Sequence, residues 1–519
     1  MTRRPVRVFI GEPSSIDPAC AFEHDGTLIM RFLADPLVDF EPDTGALRPA
    51  AARSWAVDPD GRRVVFELRE GVRFHHGRTV VASDYVFALS RAVDPRTGSK
   101  LAYHLAVIEG YDEVRSGAAT TLRGVSALDD TRLEIRLTEP FHEIAAVFGH
   151  RMTSAVPHEL ISGDAAHFAA APVSTGPYRV TSPWQHGAGL RLERFESYYG
   201  LNGAHSDGGA GHVAAIEFVI YDDIEDAYAS WHDGRLDITK VPPGRIAEAE
   251  ALGEQFRKTP CALMQYIGLP TEVPPFDDPR VRRAIGLAID RRSILDDVFL
   301  GTRPIAQRII PPILSDDDDA DLTGVKHDPA EARRLLKEAG VTHSVTTSFR
   351  YNAGLGHDGW VERVLDDINL ALGWSLTPQP MEWRDFLVWL GEANEPFRMT
   401  WAIDYPSVDN FLYPLLHSRS IGDDNFTRYR SAQFDRQIDI ARATASHEAR
   451  VAAYTAAERI ACRDLPLIPL WFGVQYHAVQ NRDLLMPEVP VDIFGEPALR
   501  SFRFRVGHSE ATQSGLGTR

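Results

Sequence analysis

Apolar and polar positions alternate in short runs along the chain, and turn-forming residues bound each run. VRVFIG (6–11) alternates and predicts a strand that ends in a Gly-Glu-Pro turn. Asp43-Thr44-Gly45 and Asp58-Pro59-Asp60-Gly61 are turn signals, the second leading into the strand RVVFELR (63–69). TRLEIRLTEP (131–140) is another alternating strand, whereas IEFVIYD (216–222) is more continuously apolar, as a central strand would be. Helical spacing takes over between these runs. Ser83 predicts a cap for a helix starting at Asp84, and a helix over 224–233 stops at Gly234. Residues 278–301 place apolar side chains at 281, 285, 288, 289 and 295 before Gly301. In 328–340, Asp328 is the cap, Pro329 takes the first helical position and Gly340 ends the helix; 359–373 repeats the pattern. Residues 452–472 read as a helix, a proline-marked break and a strand.

Strands thus alternate with helices in both halves, which makes the class α/β. The length of 519 residues calls for two or three domains. No internal repeat and no long low-complexity linker separates them, so the domains are expected to interleave along the chain.

Composition narrows the function classes. Apolar residues make up 44% and charged residues 25%, ordinary values for a globular protein. No window reaches the ~18 apolar residues that predict a membrane span. With 55 basic and 73 acidic residues the net charge is −18, which argues against nucleic acid and against anionic lipid as partners. Cys20, Cys261 and Cys462 lie far apart and support neither a disulfide framework nor a cysteine metal site. His75-His76 precedes a turn glycine and does not converge on one metal. The acidic run 315–321 lacks the spacing of a calcium loop. No cofactor is expected: the glycine-rich NAGLGHDG (352–359) lacks both a P-loop lysine and a dinucleotide fingerprint. No nucleophile elbow or Walker loop appears, so a binding role is expected rather than an enzyme. The N-terminus carries Arg3, Arg4 and Arg7 but no apolar leader segment follows. The expected location is therefore extracytoplasmic if a leader is missing from this sequence, and cytoplasmic if Met1 is the native start.

RMTWAIDYP (398–406) does not read as ordinary core. Met399, Trp401, Ile403 and Tyr405 would form one buried side of a strand, leaving Arg398, Thr400 and Asp404 on the other. A zwitterionic ligand enclosed away from water needs both of its charges paired, and a cation and an anion in one strand supply both. Fully extended, six residues span roughly 20 Å, against nearer 10 Å for a tripeptide backbone. The arginine must lean inward, or the strand must end early. Strict alternation also turns Trp401 away from Asp404.

Several stretches, in one order over about residues 6–500, resemble a known family. They are EPSSIDPA, LRPAAARSWAVDPDGRRVVFELREGVRFHHGRTVVASDYVFAL, STGPYRV, RLERFESYYG, PPFDDPRVRRAIGLAIDRRSIL, DPAEARRLLKEAG, EWRDFL, TWAIDYPSVDNFL and LPLIPLWF. Together they resemble the peptide-binding class of solute-binding proteins that serve ABC importers, extracellular solute-binding protein family 5. One departure is Gly268-Leu269-Pro270, where the family often has Gly-Phe-Asn.

The resemblance implies a two-lobe periplasmic-binding-protein-like fold of type II, a Venus flytrap with an extra subdomain inserted in the first lobe. The first lobe is expected to take 1–38, 172–265 and 477–519, the insertion 39–171 and the second lobe 266–476, with crossovers near 265–270 and 474–480. It implies that Asp404 receives a ligand ammonium, that Arg398 meets a carboxylate, and that Trp401, Trp383, Tyr103, Tyr266 and Tyr405 line the site. The implied partners are a peptide-like or other amine-bearing small molecule and, if the chain is exported, an ABC permease; a monomer is expected. Sugars, nickel chelates and opines are carried by the same class. The alternative is a leaderless cytoplasmic descendant that binds or transforms a small metabolite.

Overall fold

Two antiparallel strands of thirteen residues, Phe256–Gly268 and Leu467–Val479, run side by side through the centre of the molecule. At the usual rise each is about 43 Å long. The second is almost wholly buried, as its run of apolar, branched and aromatic residues requires. Their register breaks between Cys261 and Met264 and again between Gln265 and Tyr266. Such breaks increase local twist and re-aim the chain.

The computed structural model describes residues 4–201, 212–315, 321–353, 356–480, 484–485, 491–497, 500 and 502–504. Residues 316–320 of the acidic run and Gly354-Leu355 of the glycine-rich loop therefore lie outside the described residues.

Both lobes grow from the long pair. Beyond one end, Leu467–Val479 pairs with Ile238–Lys240, followed in the sheet by Val6–Ile10, Ala215–Ile220, Leu190–Arg194 and Tyr178–Val180. Beyond the other end, Phe256–Gly268 pairs through residues 263–268 with Phe397–Ala402, followed by Thr346–Asn352 and Ser375–Met381. The result is one ten-stranded sheet whose two halves belong to different lobes. Apolar clusters cover both faces of each half, the layered solution that an α/β sheet demands. The inserted subdomain has its own antiparallel four-stranded sheet, in the order Ala52–Val57, Arg63–Leu68, Arg132–Arg136, Val125–Asp129, and its own core including Phe66, Tyr85, Leu89 and Phe148. This is the expected two-lobe type II fold with an insertion.

Local differences have physical causes. The helix expected from Asp84 begins at Ala82 (Ala82–Val93). Its start is satisfied from inside, because Asp84 Oδ2 accepts the Val81 amide at 2.9 Å, while Arg78 holds the same carboxylate. Residues 278–301 form two helices, Pro279–Ala288 and Arg291–Phe299. Asp290 breaks the run because its side chain caps the second helix at the Ser293 amide. His75 is buried and its Nε2 pairs with the Gly176 carbonyl oxygen at 3.1 Å, so it serves the packing of the insertion.

Gly268 sits at the second-lobe end of the long pair, against a fully buried ring. A Cβ there would stand 2.1 Å from Phe397 Cζ. Gly268→Ala is expected to lower unfolding free energy by about 1–3 kcal/mol through overpacking, measured by urea denaturation. Unchanged stability would mean that the Phe397 ring yields freely.

Candidate functional site

A cavity of about 1220 Å³ lies between the lobes, with the insertion forming part of its wall. Arg398, Trp401 and Asp404 line it from the second lobe, Trp383 from its rim and Tyr103 from the insertion.

The strand carrying the first three ends early. Phe397–Ala402 pairs with residues 263–268, and the chain then turns, Ile403 donating its amide to the Ala262 carbonyl at 3.1 Å. Asn410 fixes the turn. Its side-chain oxygen accepts the Asp404 amide at 2.8 Å, and its carbonyl accepts the Trp401 indole N–H at 2.8 Å. The end at Ala402 breaks the alternation, so Trp401 and Asp404 both reach the cavity.

Arg398 is 6% exposed. Its guanidinium donates to Asn352 Oδ1 at 2.5 Å, to Gln265 Oε1 at 3.1 Å and to Thr400 Oγ1. All three partners are neutral, and Arg398 Nε has no partner among the described residues. Burial pushes its pKa down, and the charge of Arg303 adds to this. Arg303 lines the same cavity, its guanidinium 4.1 Å from the centre of the Phe299 ring, and burial pushes it down too. His357 stands near both. Burial, then the charges of Arg398 and Arg303, push it down to about 3.

The opposite electrostatic character gathers around Asp404. Its Oδ2 is reached by Asn410 Nδ2 at 3.2 Å, the Tyr103 hydroxyl at 3.4 Å and His104 Nε2 at 3.3 Å. Burial raises its pKa, but the histidines and Asn410 outweigh that and hold it below the ordinary value. Asp423 and Asp424 line the same end. Burial first, and then the charge of Asp404, push Asp424 up to about 7, and its Oδ2 has no partner among the described residues.

The remaining expectations divide. Trp383 opens the helix Trp383–Leu390 and is 37% exposed on the cavity wall. Tyr266 is 1% exposed, packed edge-on to Phe397 within the second lobe, and does not line the cavity. Tyr405 is 4% exposed and packs into the core of the insertion, beside the His104 ring. Sequence reasoning missed His104, Arg303, His357, Asp423 and Asp424. The adjacent Tyr103 and the acidic pair after Gly422 were the available signals. Neither stands out in a chain with 73 acidic residues and 19 histidines.

The lobes touch beside the cavity. Glu143 accepts from Tyr454 at 3.0 Å and lies 3.4 Å from Arg450, while Arg442 stacks 4.1 Å from the centre of the Phe141 ring and reaches Glu139. Among the described residues no three His, Cys, Asp or Glu side chains are grouped to hold a metal, and no helix is long and apolar enough to cross a membrane.

Two lobes joined by paired strands, with a cavity between them lined by opposite charges, define a solute-binding protein of the periplasmic type. The sequence model for bacterial extracellular solute-binding proteins, family 5, matches residues 46–423, and the chain belongs to that family. It is 28% identical over 474 residues to the probable deoxycholate-binding periplasmic protein of Escherichia coli, covering 89% of this chain and 86% of the other. It is 27% identical over 490 residues to the periplasmic oligopeptide-binding protein OppA of Escherichia coli, covering 90% and 87%. Among solved structures, the Escherichia coli murein tripeptide-binding protein MppA superposes with a TM-score of 0.83 at 22% identity, covering 97% of this chain and 99% of that one. Haemophilus influenzae OppA in complex with RPPGFSPFR gives 0.80 at 22% identity, covering 97% and 100%. These relatives are named for binding rather than for a reaction.

The raised Asp424 carboxyl has a testable sign. The folded protein keeps this proton up to about pH 7, whereas the unfolded chain loses it near pH 4. Stability is therefore lost as pH rises through that window. Asp424→Asn is expected to flatten this loss, gaining about 1–2 kcal/mol over the wild type at pH 8 once partial exposure is allowed for. Thermal melts across the window provide the measurement, and parallel curves for the two proteins would remove Asp424 as the cause.

Proposed function

We propose that this chain captures a peptide-like, amine-bearing solute between its lobes and hands it to an ABC importer outside the cytoplasm. The observation that carries this reading is the separation of charge within one cavity between the lobes. A carboxylate with mostly neutral partners faces one end, and an arginine held only by neutral groups faces the other. A buried charge is tolerated at such a site when a ligand completes its pairing. Asp404 would then take the ammonium and Arg398 the carboxylate. The volume of about 1220 Å³ exceeds the ~300–1,000 Å³ of ordinary small-molecule pockets, which favours a ligand of several residues. Trp401, Trp383 and Tyr103 would bury its apolar parts while keeping polar edges available.

The accompanying division of the chain is 1–38, 172–265 and 477–519 for the first lobe, 39–171 for the insertion and 266–476 for the second lobe. The separate apolar clusters support it. The family is defined by extracellular proteins, which favours an extracytoplasmic location. A metabolic enzyme built on the same fold finds no support among the relatives.

Asp404→Asn keeps the shape and removes the charge. Leaving a ligand ammonium unpaired typically costs about 3–5 kcal/mol, so peptide affinity is expected to fall by roughly two to three and a half decades. N-acetylation of the peptide should cause a comparable loss in the wild type. Calorimetric titration with a panel of short peptides reads both effects, and full-strength binding of the acetylated peptides would sink the assignment. Arg398→Gln should weaken peptides with a free carboxylate more than their amides in the same titration. Equal loss for both forms would assign Arg398 to the frame of the site.

A further inference from the structure

Asp404 already has a partner that can carry positive charge, and it comes from the insertion, packed behind Tyr103 of the cavity wall. His104 lies in the short turn Ala102–Leu105 of the insertion, with only 2% of its side chain exposed. Its Nε2 stands 3.3 Å from Asp404 Oδ2, within ion-pair distance, and makes no hydrogen bond among the described residues. The ring is fixed by aromatic neighbours. Tyr103 packs 4.1 Å from it, Tyr405 meets it edge-on at 5.8 Å and His150 lies at 5.7 Å.

The other groups at Asp404, Tyr103 and Asn410, are neutral. Among the described residues, His104 is the group within ion-pair distance of Asp404 that can carry a positive charge. A largely buried carboxylate is stabilised by a counter-ion, and without a ligand the protein itself must supply any such group. An imidazolium does so, and a ligand ammonium does the same from the cavity side. Both cannot be held there as cations without repelling each other.

We infer that His104 is a displaceable internal counter-ion of the amine subsite, so that capture of an amine-bearing solute expels a proton from the imidazole. This rests on the reading of Asp404 as the ammonium partner. The step balances simply: the ligand arrives as an ammonium, the Nε2–H bond of the imidazolium breaks, and the proton passes to solvent while the ring stays in place as a neutral donor or acceptor. His104 thereby determines specificity. A solute with an amine competes with a proton for Asp404, and one without an amine gains nothing from displacing it.

Several groups face His104 and bear on this exchange. Asp404 and Tyr405 come from the turn after the strand Phe397–Ala402, Asp423 and Asp424 from the loop after Gly422, His150 from the insertion, and Tyr103 from its own turn. His150 is no rival, since burial pushes it down to about 3 and its Nδ1 accepts the Met152 amide at 3.1 Å. Burial keeps Tyr103 and Tyr405 neutral. Asp423 and Asp424, both raised by burial, are the alternative sources of a proton, and Asp423→Asn and Asp424→Asn separate them from His104 in the titration below.

Two measurements on the full chain decide the matter. The first needs no ligand. Melting temperatures are recorded for the wild type, His104→Gln, Asp404→Asn and the double variant, near pH 6 and near pH 9. The expected result near pH 6 is strong non-additivity, the double variant melting no lower than the worse single. That coupling should shrink near pH 9. Additive effects near pH 6, or coupling that persists undiminished near pH 9, overturn the charge pair whatever the ligand is.

The second is calorimetric titration with trialanine near pH 6 in buffers of different ionisation enthalpy. The wild type should release roughly one proton per peptide bound. His104→Gln should release much less and bind trialanine severalfold more tightly. Release that survives in His104→Gln but disappears in Asp423→Asn or Asp424→Asn assigns the proton to that aspartate and overturns the proposal, as does binding with no release at all. Failure of trialanine to bind any variant counts against the peptide reading of the cleft, while the melting cycle still decides the role of His104.

Discussion

The antiparallel pairing of Phe256–Gly268 with Leu467–Val479 is the constraint on which the rest depends. Each strand is long enough to serve both lobes, so the two half-sheets grow from one pair of backbones rather than docking as separate bodies. The breaks in register fall between Cys261 and Tyr266, where the sheet passes from one lobe to the other. Within the long pair, the strand Phe397–Ala402 meets only residues 263–268 of Phe256–Gly268, and its other edge pairs with Thr346–Asn352. Arg398, Trp401 and Asp404 thus stand at the crossing, facing the opposite lobe across the cavity. A site of this kind needs no long linker, because the hinge consists of continuous strands.

Charge gives the cavity its direction. Arg398 is held by Asn352, Gln265 and Thr400, which satisfy its donors without cancelling its charge. Desolvation makes that charge costly, and Arg303 nearby increases the cost. At the acidic end, Asp423 and Asp424 are raised by burial, while Asp404 is lowered by its histidine and asparagine neighbours. On the proposed reading, a ligand bearing both charges would relieve both ends together, whereas a neutral ligand of the same shape would relieve neither. The insertion contributes to this asymmetry through Tyr103 and His104. It also grips the second lobe through Glu139, Phe141 and Glu143, whose partners Arg442, Arg450 and Tyr454 lie on or beside two helices of that lobe. Closure is therefore a matter of charge as well as of shape.

The sequence by itself determined the elements and their class. Period-2 and period-3.6 patterns marked the strands at Val6–Ile10, Arg63–Leu68 and Arg132–Arg136 and the helices at Pro329–Glu338 and Asp358–Leu372, because each buries one face and its cap residues are local. It also singled out Asp404, Arg398 and Trp401, since a cation and an anion beside large aromatics break the pattern of a plain core strand. Tertiary structure decided the rest. Whether Tyr266 and Tyr405 faced the ligand or the core depended on which lobe packed against them, and both were taken into cores. The end of the site strand at Ala402 depended on Asn410, eight residues further on, whose hydrogen bonds replace the ladder. His104 and Asp404 are 300 positions apart, and Arg303 is 95 residues from Arg398. No local pattern encodes such meetings, because the long strand pair that brings them together acts only once the whole chain is folded.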